Sequence, residues 1–227
     1  MLKKIIIGAV LLLAVAAGFV AFKVMRPAVH NKQNSFLYIY PGTDMATLTR
    51  QLKDSNYISG SGYGLACKLL RFSNPRPGRY KLKDGMSAFA LVRMLRNGNQ
   101  ELVKVVVNKE RTKEAFAGKV GTGRRYDFIF DSLQMIHYLN NNDSLQKFGV
   151  DSNTVTALLL PDTYINKWNS SPEKLVQQFY NAYTKFWTEE RKAKAKNLNM
   201  TPLQVVTLAS IVEEETNVKA DKINIAS

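Results

Sequence analysis

The hydrophobic pattern changes character several times along the chain. Ile5 to Phe22 is an unbroken uncharged run behind Lys3 and Lys4. As a helix rising ~1.5 Å per residue it would reach about 27 Å, enough to cross a bilayer core. Phe36 to Tyr40 alternates with the two-residue period of a strand and stops at Pro41-Gly42. A unit then appears twice. Gly42-Thr43-Asp44 is followed by Leu48 and Leu52, and Gly85-Met86-Ser87 by Leu91 and Leu95 at the same offsets. Each copy has a turn glycine, an N-cap candidate (Asp44 or Ser87) and an amphipathic helix, and each follows a strand, Phe36–Tyr40 or Arg79–Leu82. Ordinary turn and helix chemistry yields such a pair as readily as duplication does.

Further on, Leu102 to Val107 is β-branched and reads as a core strand. Thr112 with Ala115, Phe116 and Val120 reads as a capped helix, Asp131 to Leu139 as another, and Asn140 to Asp143 as a loop. Leu158 to Leu160 reads as an apolar strand that turns sharply at Pro161-Asp162-Thr163-Tyr164, presenting the Asp and Tyr to a cleft. Asp162 could equally cap that turn by bonding backbone amides. Pro172 to Trp187 is an amphipathic helix, and its stripe of Leu175, Val176, Phe179, Tyr180, Tyr183 and Phe186 is assigned to the core. Glu189 to Lys196 is charged and solvated. Thr201-Pro202 then cap and open a last helix, Leu203 to Val212, which runs into Glu213, Glu214 and Glu215.

The predicted architecture is α+β. An N-terminal transmembrane helix (residues 1–25) is followed by a short polar linker from Arg26 to Asn34, which opens a small α+β module (26–100). A mixed α/β domain (101–227) completes the chain. Its 227 residues suffice for one domain or two small ones with a real core.

Charge narrows the partners. Thirty-two basic residues against 18 acidic ones leave a net charge of +14, which suits an anionic partner. No zinc-ligand cluster, aromatic RNA-binding strand or helix-turn-helix pattern supports nucleic acid, so lipid headgroups and acidic cell-wall polymers remain. His137 has no second histidine at ligand spacing, so it reads as structural, with no metal or cofactor expected. The single Cys67 allows no intrachain disulfide and lies too far from the N-terminus to carry a lipid anchor.

The N-terminal run has a competitor reading as a cleaved signal peptide, because Ala14-Val15-Ala16 before Ala17 mimics a cleavage site. The apolar stretch continues through Phe19, Val20 and Phe22, longer than a signal core needs, which favours an uncleaved anchor. Lys23, Arg26 and Lys32 beyond it leave the orientation open on charge alone.

The three consecutive carboxylates are the clearest chemical feature. Helical residues sit about 100° apart, so these cannot share one direction. Glu213 follows Val212 on the border of the face formed by Val205, Leu208, Ala209 and Val212, where a carboxyl can be half buried. Partial burial raises a carboxyl pKa, as a general acid near neutral pH requires. A polar helix end is the plain alternative, although three negative charges at a helix C-terminus oppose its macrodipole.

Leu208-Ala-Ser-Ile-Val-Glu-Glu-Glu-Thr216 resembles the signature Ala-Ser-Ile-Val-Glu-x-Glu-Thr of the YceG-like family of endolytic murein transglycosylases. Leu158-Leu-Leu-Pro-Asp-Thr-Tyr164 is similar to that family's Leu-Phe-Pro-Asp-Thr-Tyr, with Thr156-Ala157 where the family has Glu-Gly. Glu110-Arg111-Thr112 stands where it reads Glu-Gly-x-Thr, without the glycine. The doubled strand-helix unit, with Gly78-Arg79-Tyr80 as a Gly-x-Tyr strand entry, resembles the family's LysM-like part, which could touch glycan or act as a spacer.

The resemblance implies Glu213 as the catalytic acid, with Glu215, Thr216, Asp162 and Tyr164 as substrate contacts. It implies a cytoplasmic N-terminus in the bacterial inner membrane, the remainder outside, and peptidoglycan glycan strands and cell-wall synthesis proteins as partners. In that chemistry one carboxylic acid protonates the oxygen between N-acetylmuramic acid and N-acetylglucosamine. Its carboxylate then takes the muramoyl 6-hydroxyl proton, closing a 1,6-anhydro ring, so a single acid suffices. The family continues beyond this region into an Asn-Arg-Leu segment and a Gln-x-Asp-Pro-Thr stretch that line the cleft. Their absence here leads us to expect a more solvated Glu213 and weak cleavage. A non-catalytic, membrane-anchored glycan-binding module and a cell-wall scaffold are the readings from other classes.

Overall fold

The computed structural model describes residues 2–31, 35–108, 110–216 and 218–226. Lys32, and with it Gln33 and Asn34 of the expected linker, lies outside the described residues. The described chain is a mixed α/β structure that divides into two units, residues 1–102 with 167–169, and residues 103–166 with 170–227.

In the first unit, α1 (Leu2–Met25) carries the apolar run, and side chains from Ile5 to Phe22 are largely exposed. It is the one helix among the described residues long and apolar enough to cross a membrane. β1 (Phe36–Ile39), α2 (Met45–Asp54), α3 (Gly62–Leu69), β2 (Gly78–Lys81) and α4 (Ala88–Asn97) follow. β1 and β2 pair antiparallel, Phe36 opposite Lys81 and Ile39 opposite Gly78. The repeated unit is visible in the caps. Asp44 accepts a hydrogen bond from the Thr47 amide at 2.7 Å, and Ser87 from the Ala90 amide at 3.2 Å. Leu48, Leu52, Leu91 and Leu95 are fully buried in one core with Leu37, Ile39 and Tyr80.

Residues 26–31 are part of this unit and not a free linker. Ala28 and Val29 are buried, and the Asn31 amide group donates to the carbonyls of Leu82 at 2.7 Å and Ser35 at 2.9 Å. The polar reading fails because two small apolar residues suffice to bind so short a segment to a core. Trp168, far along the chain, is buried here against Tyr38 and Tyr40, each ring centroid 5.2 Å away.

The second unit is mostly helical. β3 (Leu102–Val107) leads into α5 (Lys113–Lys119), capped by Thr112, and α6 (Ser132–Asn140), where Asp131 and Gln134 form a capping box. The expected loop at Asn140–Asp143 instead holds a short helix, α7 (Asn142–Leu145), because the Asn141 side chain caps it by accepting from the Ser144 amide. β4 (Asp162–Lys167) pairs with β3. α8 (Pro172–Phe186), α9 (Glu189–Asn197), α10 (Pro202–Glu215) and α11 (Lys219–Ala226) complete the unit. Leu175, Val176 and Phe179 of α8 are buried, and the Phe179 ring meets Phe116 edge-on at 5.5 Å.

The run Leu158–Leu160 is not a strand. Val155–Leu158 is a 3-10 turn, and extended structure begins only at Asp162. A short apolar run carries no period by which to tell the two apart.

Candidate functional site

The helix α10 that carries the three carboxylates is started firmly. The Thr201 hydroxyl accepts from the Gln204 amide, the Gln204 side chain accepts from the Thr201 amide, and Pro202 occupies the first turn. Of its apolar residues only Val212 is buried, while Leu208 and Ile211 are 41% and 52% exposed. One flank of the helix borders a cleft of about 700 Å³. Val205, Val206, Ala209, Ser210 and Glu213 form that flank, facing Leu159, Leu160 and Pro161 across the opening. Phe186, Trp187, Arg191 and Lys194, at the junction of α8 and α9, contribute an aromatic and basic rim.

A second cavity of about 500 Å³ adjoins the first and shares Glu110, Thr156, Ala157, Val206, Ser210 and Glu213 with it. Glu214, Glu215 and Arg111 line only this second space. Glu213 thus borders both cavities. Its side chain is 49% exposed and forms an ion pair with Lys222 of α11. Glu214 pairs with Arg111 at 2.8 Å. These two cations offset the like charges that α10 gathers at its negative end. At 49% exposure the Glu213 carboxyl is about half buried, set between the cleft wall and open solvent.

The other expected site residues divide. Glu215 lines the second cavity, and the Thr216 hydroxyl oxygen, just past the helix end, accepts from the Val218 amide at 3.0 Å. Asp162 is exposed and its carboxylate accepts from the adjacent Thr163 amide at 2.6 Å, while its neighbour Pro161 lines the cleft. Tyr164 does not face the cleft. It is 4% exposed, its ring meets Phe179 edge-on at 4.7 Å, and its hydroxyl donates to the Leu160 carbonyl at 2.9 Å. The two-residue period of β4 turns Tyr164 inward with Asn166. Burial, followed by the nearby Asp162 charge, pushes its phenol up to about 12. Tyr164 therefore braces the Leu160–Pro161 wall from behind.

Two features lie outside the sequence expectation. Glu110 lines both cavities with a side chain only 5% exposed, and both of its oxygens accept from Lys119 Nζ, at 2.8 and 2.7 Å. Its place in the degenerate Glu-x-Thr segment was the available signal, but the partner nine residues on was not readable from it. The aromatic stripe of α8 also divides. Its first turns are core, but Phe186 is 41% exposed and reaches the cleft, with Arg191 4.1 Å over its ring.

No curated protein matches the chain. Among solved structures, it is similar to the 2.6 Å crystal structure of a yceG-like protein, lmo1499, from Listeria monocytogenes. The identity is 18% and the TM-score 0.42, over 85% of this chain and 67% of that one. The YceG-like family model matches residues 37–227, which take in Glu110, the Pro161–Tyr164 turn and the whole of α10, and the chain therefore belongs to the YceG-like family.

Proposed function

We propose that the protein is an endolytic peptidoglycan transglycosylase. It cleaves the β-1,4 bond between N-acetylmuramic acid and N-acetylglucosamine in nascent strands, leaves 1,6-anhydro ends and so limits strand length. The observation that carries this reading is a single one. Glu213, the first acid of the signature, stands on the wall common to both cavities, beside a channel with an aromatic and basic rim.

Glu213 protonates the bridging glycosidic oxygen as the bond breaks. The resulting carboxylate then accepts the proton of the muramoyl 6-hydroxyl as that oxygen closes on the anomeric carbon. Each turnover returns Glu213 to its protonated state, so no water and no second acid enters the balance. Lys222 neutralises the carboxylate formed between the two transfers. Leu159 to Pro161 and Phe186 supply apolar surface for sugar faces, while Arg191 and Lys194 suit the carboxylates of an acidic wall polymer.

In this reading α1 is an uncleaved anchor in the bacterial inner membrane, with both units on the outer side. The repeated strand-helix unit serves as a LysM-like spacer or glycan contact. Incubating the purified full chain with isolated sacculi tests the proposal. Anhydro-ended products support it. Retention on sacculi without products would make the protein a glycan-binding module, and neither outcome would leave a scaffold for wall-synthesis proteins.

A further inference from the structure

The last turns of α1 are built into the first unit. Val24 is 1% exposed within its core, and Gly62 at the start of α3 comes so close that an added Cβ would lie 2.7 Å from the Lys23 carbonyl oxygen. The attachment continues through the amides of Ala28 and Val29, which both donate to the Met86 carbonyl. Beside it runs an apolar groove of about 460 Å³, with Leu13, Ala17, Val20 and Val24 of α1 on one side and Leu69 and Phe89 on the other. Leu69 is 57% exposed.

Ala17 to Ala21 belong to the uncharged stretch of α1, which hydrocarbon would surround. Leu69 and Phe89 flank the same turns and so sit at the level of the bilayer's edge. The charges around them fit that level. Lys68 and Arg71 bracket Leu69, Arg93 lies one turn beyond Phe89, and all three are exposed. From Tyr57 to Lys83 the chain carries six basic residues and no acidic one. Lys23 stands 4.8 Å over the Phe19 ring and Arg26 5.2 Å over Phe22, the pairing of aromatic body and cationic tip that suits a membrane interface.

We infer that the α3–α4 edge of this unit is a membrane-contact surface for anionic phospholipid, lying against the bilayer beside the anchor. Leu69 and Phe89 enter the acyl boundary, and Lys68, Arg71 and Arg93 meet headgroup phosphates. The inference rests on α1 spanning the membrane. It holds the small unit in one orientation to the bilayer, where a flexible tether would let it swing.

The test uses the full chain in a Cys67→Ala background with a single environment-sensitive fluorophore at Leu69→Cys, Leu12→Cys or Ala46→Cys. Each variant is reconstituted into phosphatidylethanolamine–phosphatidylglycerol vesicles carrying a nitroxide either near the headgroup or near the chain end. The Leu69 label should show blue-shifted emission and lose intensity mainly to the headgroup nitroxide. The Leu12 label should lose it mainly to the chain-end nitroxide, and the exposed Ala46 label on α2 should lose little to either. If the Leu12 label is quenched while Leu69 behaves like Ala46, the contact surface is wrong although the anchor stands. A second copy of α1 filling the groove would shield Leu69 in that way. An unquenched Leu12 label overturns the anchor and the inference together. Replacing phosphatidylglycerol with phosphatidylcholine should weaken the Leu69 signal, and an unchanged signal would overturn the phosphate contacts.

Discussion

The ion pair between Glu110 and Lys119 offers a quantitative test of the second unit, because its two ends are unequally buried. The Glu110 side chain is 5% exposed and the Lys119 side chain 38%. Replacing Lys119 with Met leaves a carboxylate enclosed with neither of its two short contacts. Removing one partner of a fully buried pair costs about 3–5 kcal/mol. The partial exposure of Lys119 lets water screen the pair, which lowers the figure to roughly 2–3 kcal/mol. Glu110→Gln removes the other charge. The amide can still accept from Lys119, whose ammonium keeps access to water, so the cost falls to about 1 kcal/mol. Thermal unfolding of the full chain in detergent, followed by circular dichroism, should show the asymmetry. Lys119→Met should lower the melting temperature by roughly 10 °C, and Glu110→Gln by a third to a half of that. The double variant should recover most of the difference, since no charge is left enclosed. If Glu110→Gln proves the more damaging single change, the buried end of the pair has been misassigned.

Tyr164→Phe removes the hydroxyl that holds the Leu160 carbonyl, which should cost about 1 kcal/mol of stability and raise KM for glycan more than it lowers kcat. Unchanged kinetics would show that the cleft wall does not depend on this bond. Helix propensity alone would make Gly62→Ala stabilising by up to ~1 kcal/mol. The clash with the Lys23 carbonyl, at roughly 1–3 kcal/mol, should win and lower the melting temperature, and a stabilised variant would refute the close packing of α1 on α3. Burial pushes the phenols of Tyr80 and Tyr164 up to about 12, against about 10 in an unfolded chain. Both bind their protons more tightly when folded. Their contribution to stability is therefore complete below pH ~10 and lost as pH rises toward 12. Tyrosinate absorbance should show a late component that coincides with alkaline unfolding, and titration of all ten tyrosines near pH 10 would contradict it.

Local signals in the sequence carried much of the fold. The caps at Asp44, Ser87, Thr112, Asp131 and Thr201 each found the backbone amide that their residue type predicts. The leucines at i+6 and i+10 from each turn glycine entered one core. The failures share a cause, since each depended on a partner distant in the chain or on a run too short to show a period. Leu158–Leu160 could not declare itself a 3-10 turn, and nothing in Pro-Asp-Thr-Tyr says that Phe179 waits beneath Tyr164. In the candidate site, Glu213 stood out through its neighbours in sequence. The cations that face Glu213 and Glu214, Lys222 and Arg111, come from other elements and leave no local trace. Glu110 shows the same limit, since its carboxylate became notable only when α5 brought Lys119 against it.

The central claim is that Glu213 supplies and recovers the proton. Its side chain is 49% exposed and its partner Lys222 is also accessible to solvent, so Glu213→Gln should leave the fold and melting temperature essentially intact. The amide keeps the shape but cannot donate. The decisive measurement is the rate at which 1,6-anhydro-muramoyl ends appear when Glu213→Gln, Glu214→Gln and the unaltered chain act on isolated peptidoglycan. The account predicts a loss of roughly a hundredfold or more for Glu213→Gln and near-normal cleavage for Glu214→Gln. Cleavage that survives in Glu213→Gln and disappears in Glu214→Gln would contradict it.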